Sequence, residues 1–280
     1  MLKRSKKFYN WWHQNVAKRW AIYGSPARPS QDECNIIRGF IVSKHKNHPR
    51  ILVLGATPEY RDLAHACKAE VTCIDISLEM IMSMPELMKH KKLVSQEIWI
   101  KANWLDMPLS SGYYDFVIGD LVVTNIPLES QTNFLAEIRR ILKPNGYFIT
   151  REYYPPQKRT IDLIVDETFK RGLSTKSINL LTWDLLAMAY NRQNKTATST
   201  RMNNVLHQAL MSAKTKQRKA QINRLALIVD RHYPPGKKWW ILGKDEEKLL
   251  VKYFKIISIK YGHDHPRVAE CPIYILKKQK

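Results

Sequence analysis

The sequence predicts an α/β fold: a doubly wound, mostly parallel sheet of seven strands, with a helical insertion and an N-terminal helical segment. Three observations lead to this prediction. Short apolar runs and helical patterns alternate five times over residues 50–154. The alternation stops after Pro156, and residues 160–232 hold helix-like segments without clear strands. It resumes near the C-terminus with one helical pattern and two strands.

The first part of the sheet is predicted element by element. Ser30 and Glu33 have the spacing of a capping box, so a helix is expected to begin there. The run ILVLG is too uniformly apolar for a one-sided antiparallel strand and suits a buried parallel one. Further strands are expected in EVTCIDIS, EIWIKANWLDMPL, YYDFVIGDLVVTNIP and GYFITREYYPP, and helices over residues 59–68, 78–89 and in LESQTNFLAEIRRILKPNG.

The remaining segments divide the chain into three predicted regions. TIDLIVDETFKRG, SINLLTWDLLAMAY and a long segment from Met202 to Tyr233 have helical patterns, and KDEEKLLVKYF, FKIISIKYG and CPIYILKKQ restore the α/β rhythm. We expect residues 31–156 and 241–280 to form a cofactor-binding α/β domain and residues 157–240 a helical insertion. Residues 1–30 are expected to form a basic, aromatic helical segment.

Composition narrows the class of protein. With 44% hydrophobic residues, the 280-residue chain can bury a substantial core. The four cysteines are scattered without metal-ligand spacing, which argues against a zinc site and fits a reducing compartment. No run resembles a signal peptide or a membrane span, so we expect a cytoplasmic protein.

The positive charge is concentrated in two regions. The formal net charge is +21; residues 1–20 carry six basic and no acidic residues, and residues 155–240 carry sixteen basic and five acidic ones. Residues 21–154 are balanced, with fifteen of each. A localised excess of this kind suits an anionic partner such as nucleic acid, a phosphorylated metabolite or a membrane surface, or simply a solvated lysine-rich surface.

Polar and small residues follow the predicted strands where ligands bind in open α/β sheets. Asp75 ends the second strand, twenty residues after Gly55, the distance at which an acid accepts hydrogen bonds from both ribose hydroxyls. The other strand ends supply Gly55, Ala56 and Thr57, then Asn103 and Trp104, then Asp120 and Leu121. Together they predict a pocket for a nucleoside-bearing cofactor.

This ordered set resembles the class I S-adenosylmethionine-dependent methyltransferases. KANWLDMPL, YYDFVIGDLVVTNIP and FLAEIRRILKPNGYFITRE are similar to successive segments of that family, and the final helix and two strands match its terminal hairpin. The resemblance covers about two-thirds of the chain and implies S-adenosylmethionine as cofactor, with no metal required. It implies the cofactor-binding residues Gly55, Ala56, Thr57, Glu59, Asp75, Ile76, Asn103, Trp104, Asp120 and Leu121.

The first loop departs from the family pattern. Val53 replaces an acid, and Thr57 and Glu59 replace glycines, so positive φ is not readily available at the last two positions. We expect the Thr57 hydroxyl to replace a backbone contact and Glu59 to accept from the methionine amino group. A nicotinamide-dependent dehydrogenase, the alternative for a ribose-binding acid, predicts a fuller glycine fingerprint than this loop has.

Two kinds of methyl acceptor are compatible with the sequence, which shows no catalytic residue. The favoured one is a small molecule enclosed by the insertion as a lid, with Tyr23, Arg28, Arg151 and Tyr153 as candidate substrate residues. The alternative is RNA or another polyanion bound by the basic segment KTKQRKAQINR. A methyltransferase-like binding protein without activity is the third reading.

Overall fold

The computed structural model describes residues 20–45, 47–155, 159–233, 235–241, 243 and 245–279. Its strands are β1 Arg50–Leu54, β2 Glu70–Asp75, β3 Ile98–Lys101, β4 Tyr114–Asp120, β5 Leu142–Arg151, β6 Thr196–Thr198, β7 Lys238–Trp240, β8 Phe254–Lys260 and β9 Ile273–Lys278. Its helices are α1 Gln31–Lys44, α2 Pro58–Ala66, α3 Leu78–Ser83, α4 Leu128–Ile141, α5 Ile161–Lys170, α6 Thr175–Met188, α7 Ser199–Ser212, α8 Lys216–His232 and α9 Asp245–Leu250.

Seven strands form one sheet in the order β3-β2-β1-β4-β5-β9-β8. Strands β1 to β5 are parallel, and β9 runs antiparallel between β5 and β8. In this register Leu54 lies opposite Ile74 on one side and Gly119 on the other, so the ends of β1, β2 and β4 meet at one edge. The predicted mostly parallel, seven-stranded sheet is confirmed, and the antiparallel β9 distinguishes it from an all-parallel dinucleotide-binding sheet.

Alternation along β1 shows why its apolar run suits a central strand. Ile51 and Val53 pack on one face with Ile37 and Ile41 of α1, whereas Leu52 and Leu54 join the core on the opposite face. These four side chains are at most 1% exposed. Both faces of the sheet are therefore covered, as a uniformly apolar strand requires.

Helix α1 begins at the predicted capping box. The Ser30 hydroxyl accepts a hydrogen bond from the Glu33 amide at 3.2 Å, and the Glu33 carboxylate accepts from the Ser30 amide at 2.7 Å. The helix expected over residues 78–89 ends at Ser83 and continues as a 3₁₀ turn over Met84–Leu87, because Pro85 cannot extend the α-helical hydrogen-bond pattern.

The segment between β5 and α9 has its own apolar core. Its helices pack around Val165, Leu181, Leu206 and Leu225, each at most 1% exposed. Two details differ from the sequence-based expectation. The segment expected as one long helix from Met202 to Tyr233 is two helices, because α7 ends at Ser212 and Thr215 caps the start of α8. In addition, β6 and β7 form a short antiparallel ladder where no strand was expected.

None of the described helices is both long and apolar enough to span a bilayer. Most of the aromatic helical pattern expected at the N-terminus, from Phe8 to Val16, lies outside the described residues.

Candidate active site

A cavity of about 370 Å³ lies between the carboxyl ends of the parallel strands and the helical insertion. Ligand pockets in proteins commonly have a volume of this size, and open α/β sheets bind ligands at this edge. Gly55, Asp75, Trp104 and Asp120 line it from the sheet side. Residues of the insertion and of the N-terminal segment line it from the opposite side.

The turn after β1 brings the first three strand ends together. Gly55 has a φ of 88°, and its amide donates to the Ile74 carbonyl at 2.8 Å. A Cβ at this position would lie 3.6 Å from the Trp104 ring and 3.7 Å from an Asp75 carboxylate oxygen. Because the Trp104 indole also donates to the Ile74 carbonyl, at 2.9 Å, its ring is fixed beside this turn. An acid and an aromatic ring thus flank a stretch of backbone that lines the cavity.

Local hydrogen bonds hold the strand-end side chains in place. One Asp75 oxygen accepts from the Ser77 amide at 2.8 Å, and the Asn103 side chain accepts from the Leu105 amide at 3.1 Å. Thr57 is the N-cap of α2, but its side chain makes no capping bond. Like Ala56 and Ile76, it lines the cavity.

The end of β4 is tied into a buried ionic network. Arg151 donates to Asp120 at 2.7 and 3.3 Å and to Glu33 at 3.1 Å, and the side chains of these residues are at most 3% exposed. Burial raises the pKa of Asp120 to about 6 although Arg151 opposes the shift. Burial also acts to raise the pKa of Glu33, but Arg151 and His265 outweigh it and lower that pKa to about 2. At neutral pH both carboxylates are therefore ionised around one guanidinium.

Beyond Asp120 the backbone takes an unusual conformation. Leu121 has a φ of 52°, which is uncommon for a residue with a branched side chain. Its amide donates to the Arg151 carbonyl and its carbonyl accepts from the Asn125 side chain, both at 2.7 Å. The side-chain amide oxygen of Asn125, Oδ1, in turn accepts a hydrogen bond from Lys237 Nζ at 2.7 Å. A residue from outside the sheet thus supports the turn that ends β4.

Aromatic residues close the side of the cavity opposite the sheet. Tyr23 stacks on Tyr233, with ring centroids 5.9 Å apart and planes 10° from parallel, and its hydroxyl donates to the His232 carbonyl at 3.4 Å. Tyr153 meets Trp183 edge to face at 4.5 Å. Trp20, Trp183, Tyr233, Trp239 and Trp240 also line this side. The N-terminal segment therefore packs directly onto the end of α8.

Residues 54–150 match the family model of a methyltransferase domain, about a third of the chain. This segment contains the first four strand ends described above. The chain has a class I methyltransferase fold. The family resemblance predicted from the sequence is confirmed to this extent.

Solved structures agree with this fold at low sequence identity. A protein from Rhodobacter sphaeroides, provisionally named a zinc-dependent alcohol dehydrogenase, is 18% identical with a TM-score of 0.63, covering 99% of this chain and all of that one. A methyltransferase from Methanosarcina mazei, described as dependent on S-adenosylmethionine, is 15% identical with a TM-score of 0.52, covering 85% of this chain and 96% of that one. At such identities the likeness concerns the fold.

One curated relative matches over a short segment. An uncharacterized protein of Haemophilus influenzae is 35% identical over 52 residues, which is 19% of this chain. The match spans only 21% of that relative's length.

The methyltransferase fold brings most of the sequence-predicted residues to the cavity and leaves three outside it. Those lining it are Gly55, Ala56, Thr57, Asp75, Ile76, Asn103, Trp104, Asp120, Leu121, Tyr23 and Tyr153. Glu59 and Arg28, expected to contact cofactor and substrate separately, form an ion pair with each other. Arg151, expected to hold a substrate anion, is 0% exposed and is committed to Asp120 and Glu33.

The network around Arg151 includes residue types that bind metals. Ligand atoms of Glu33, His265 and Cys271 lie within 4.8 Å of one another. Burial raises the pKa of the Cys271 thiol, which keeps it protonated and a poor ligand. Glu33 already has Arg151 as its cation and His265 as a hydrogen-bond partner at 3.1 Å. The arrangement is that of an ion-pair network that stabilises the β4 and β5 ends.

Lys237 is the cavity residue that sequence reasoning missed. Lys237 is 3% exposed, and its Nζ lies 5.7 Å from the Trp239 ring centroid. Burial lowers its pKa from 10.5 to about 7, opposed by the charge of Asp75. In the sequence it was counted with the basic surface of the insertion. The available signal was the Lys237-Lys238 pair that directly precedes two tryptophans, Trp239 and Trp240.

Proposed function

We propose that this protein is an S-adenosylmethionine-dependent methyltransferase that acts on a small molecule. The observation that carries the proposal is the convergence of Gly55, Asp75, Trp104 and Asp120, from four successive strand ends, on one cavity. The methyltransferase-domain match over residues 54–150 supports it. So do similar folds, with TM-scores of 0.52, in structures named as an N-methyltransferase and a magnesium protoporphyrin IX methyltransferase with bound S-adenosylhomocysteine.

The residues at the strand ends fit such a cofactor. The Asp75 carboxylate would accept from the ribose hydroxyls, and Asn103 and Trp104 would border the adenine. Gly55 leaves backbone open beside both groups, since a Cβ there would project toward Trp104 and Asp75. Ala56 and Thr57 would border the methionine part, with the Thr57 hydroxyl as donor or acceptor. When bound, the cofactor supplies an electrophilic methyl group on a sulfonium.

The division of labour follows the two sides of the cavity. Residues 31–156 and 241–280 would hold the cofactor, and residues 157–240 with the N-terminal segment would form the lid. Two contacts support this division: the Tyr23–Tyr233 stack joins the two lid segments to each other, and the Lys237–Asn125 hydrogen bond joins the lid to the turn after β4. When an aromatic lid closes, it excludes water from the methyl group of the cofactor. A small acceptor is compatible with such closure because it fits beneath the lid.

Calorimetric titration with S-adenosylhomocysteine tests the cofactor assignment. Asp75→Ala removes charge-assisted hydrogen bonds that each contribute about 1.5 to 3 kcal/mol, so affinity should fall at least tenfold. Asp106→Ala is the matched control, because Asp106 is an exposed acid in the β3–β4 connection and does not line the cavity. If folded wild-type protein binds no S-adenosylhomocysteine, the methyltransferase proposal fails. The remaining interpretation is then a methyltransferase-like binding protein without activity.

A methyl-transfer screen with labelled cofactor separates small-molecule from RNA acceptors. The residues Lys214, Lys216, Lys219 and Arg224 on or beside α8 are exposed and could contact phosphates, whereas Arg218 already pairs with Asp162 and Asp166. Label incorporated into low-molecular-weight metabolites supports the proposal. Label in RNA, with binding that weakens steeply as salt rises, would establish the polyanion alternative instead.

A further inference from the structure

We propose that the acceptor is a flat, largely apolar molecule that carries one phenol-type hydroxyl, and that it binds as the oxyanion against Lys237. This inference rests on the proposed function and names the substrate class for the same cavity. It is argued from the position of Lys237, from the charges of the cavity wall and from the aromatic side chains around them.

Lys237 occupies a fixed position between the lid and the β4 turn. Its amide donates to the Ser199 hydroxyl at 3.2 Å, and its Nζ reaches Asn125 at 2.7 Å. Asn125 is itself oriented by its hydrogen bond to the Leu121 carbonyl. The ammonium is thereby held at the turn after β4, beside the region where the strand-end residues would present the cofactor.

The cavity wall carries few charged side chains. Among the described residues that line the cavity, the cationic side chain is Lys237 and the acidic ones are Asp75 and Asp120. Asp120 is paired with Arg151, and Asp75 is assigned to the cofactor ribose. An acceptor group that reaches Lys237 meets a buried amine whose charged form Asp75 already favours, and an oxyanion in contact with that amine stabilises the charged form further.

The rest of the acceptor's surroundings are apolar and flat. Trp183, Tyr233 and Trp239 line the same side of the cavity as Lys237, with Leu186 and Met202 completing it. Planar rings stack favourably with aromatic side chains, so this side of the cavity suits an acceptor with a flat, largely apolar body. Asp184, the most buried acidic residue of the insertion, forms ion pairs with Arg159 and Arg267 and does not line the cavity.

Proton balance favours a hydroxyl of the phenol type. Burial lowers the pKa of Lys237 to about 7, so much of its amine is neutral near that pH. The neutral amine accepts the hydroxyl proton and becomes an ammonium ion, and the acceptor oxygen becomes an anion beside it. The charges of the pair cancel, and the oxygen lone pair is freed for methylation.

The probe pair 4-nitrophenol and 4-nitroanisole tests this proposal by binding rather than by turnover. The two differ by the methyl group that the reaction would add, and the absorbance of the nitrophenolate reports ionisation. With saturating S-adenosylhomocysteine, wild-type protein should bind 4-nitrophenol as the phenolate at a pH below the probe's own pKa. Lys237→Met should weaken that binding about tenfold or more and abolish the absorbance change, with 4-nitroanisole affinity unchanged.

Two controls separate the possible failures. Lys238→Met should behave as wild type, because Lys238 extends over the Trp240 ring at 5.2 Å and does not line the cavity. Lys237→Gln provides a second variant if Lys237→Met does not fold, and cofactor-product affinity checks both. Absence of nitrophenolate binding by wild type, or equal binding by both Lys237 variants, would overturn the inference. If wild type binds no S-adenosylhomocysteine, the proposed function fails, while the probe titrations without it still decide the role of Lys237.

Discussion

The two sides of the cavity are constructed differently. On the sheet side, Gly55 and Trp104 follow a strand, and Asp75 and Asp120 each end one. Hydrogen bonds within the turns set the positions of the first three, and Asp120 is held by its ion pair with Arg151. On the lid side, the residues come from segments far apart in sequence, as with Tyr23 and Tyr233. The sheet side depends on local turns, whereas the lid side depends on long-range packing.

This difference separates what is common to the fold from what is particular to this chain. The sheet edge presents an acid, an aromatic ring and open backbone, which suit a nucleoside-bearing cofactor. The lid presents aromatic faces and Lys237. The proposed function gives cofactor binding to the sheet and acceptor recognition to the lid, and the following predictions perturb one side at a time.

The largest effect is expected where the sheet side is supported by charge. Arg151→Met leaves Asp120 and Glu33 buried without their cation, and breaking a buried pair in this way costs about 3 to 5 kcal/mol. Urea denaturation at neutral pH measures the free energy of unfolding. The matched control is Arg50→Met, whose pair with Glu70 is 39% and 60% exposed, and a loss of at most about 1 kcal/mol is expected. Equal losses in the two variants would mean that the network does not stabilise the sheet edge.

A smaller effect, with a defined pH dependence, tests the lid side. The folded-state pKa of Lys237 is about 7 against an ordinary 10.5, so between these values the unfolded chain binds more protons. Stability therefore rises with pH across this window, by about 2 kcal/mol from roughly pH 7 to 9 for this group. The difference in unfolding free energy between wild type and Lys237→Met should show that rise. Lys238→Met should keep the wild-type slope of unfolding free energy against pH. If Lys237→Met also kept that slope, the Lys237 amine of the wild type would lie in a water-like environment.

The sequence predicted the sheet side well because its signals are local. Apolar runs indicate the strands, and Asp75 and Trp104 were predicted as site residues from their positions at the ends of those runs. The insertion was predicted as a basic helical lid but without Lys237 as a cavity residue, since nothing local indicates that Lys237 reaches Asn125, 112 positions away. The same limit explains Arg151, whose strand-end position suggested a ligand contact. Its actual partners lie on α1 and β4, and Glu33 on α1 was recognised only as a helix cap.

The smallest effect concerns the glycine-poor turn after β1. The residues with positive φ that the structure describes include Gly55 but none of Ala56, Thr57 and Glu59, so the missing glycines fall where this loop does not need them. Gly55→Ala should therefore cost about 1 kcal/mol through its φ of 88°, without a steric clash, and reduce S-adenosylhomocysteine affinity.

Gly39→Ala is the contrasting control, because Gly39 lies inside α1 with nothing within 4 Å of the added Cβ. It should stabilise the protein by about 0.5 to 1 kcal/mol and leave affinity unchanged. If both variants gained stability and bound the cofactor product as wild type does, the left-handed turn would be dispensable, and cofactor binding would depend on Asp75 and Trp104 without it.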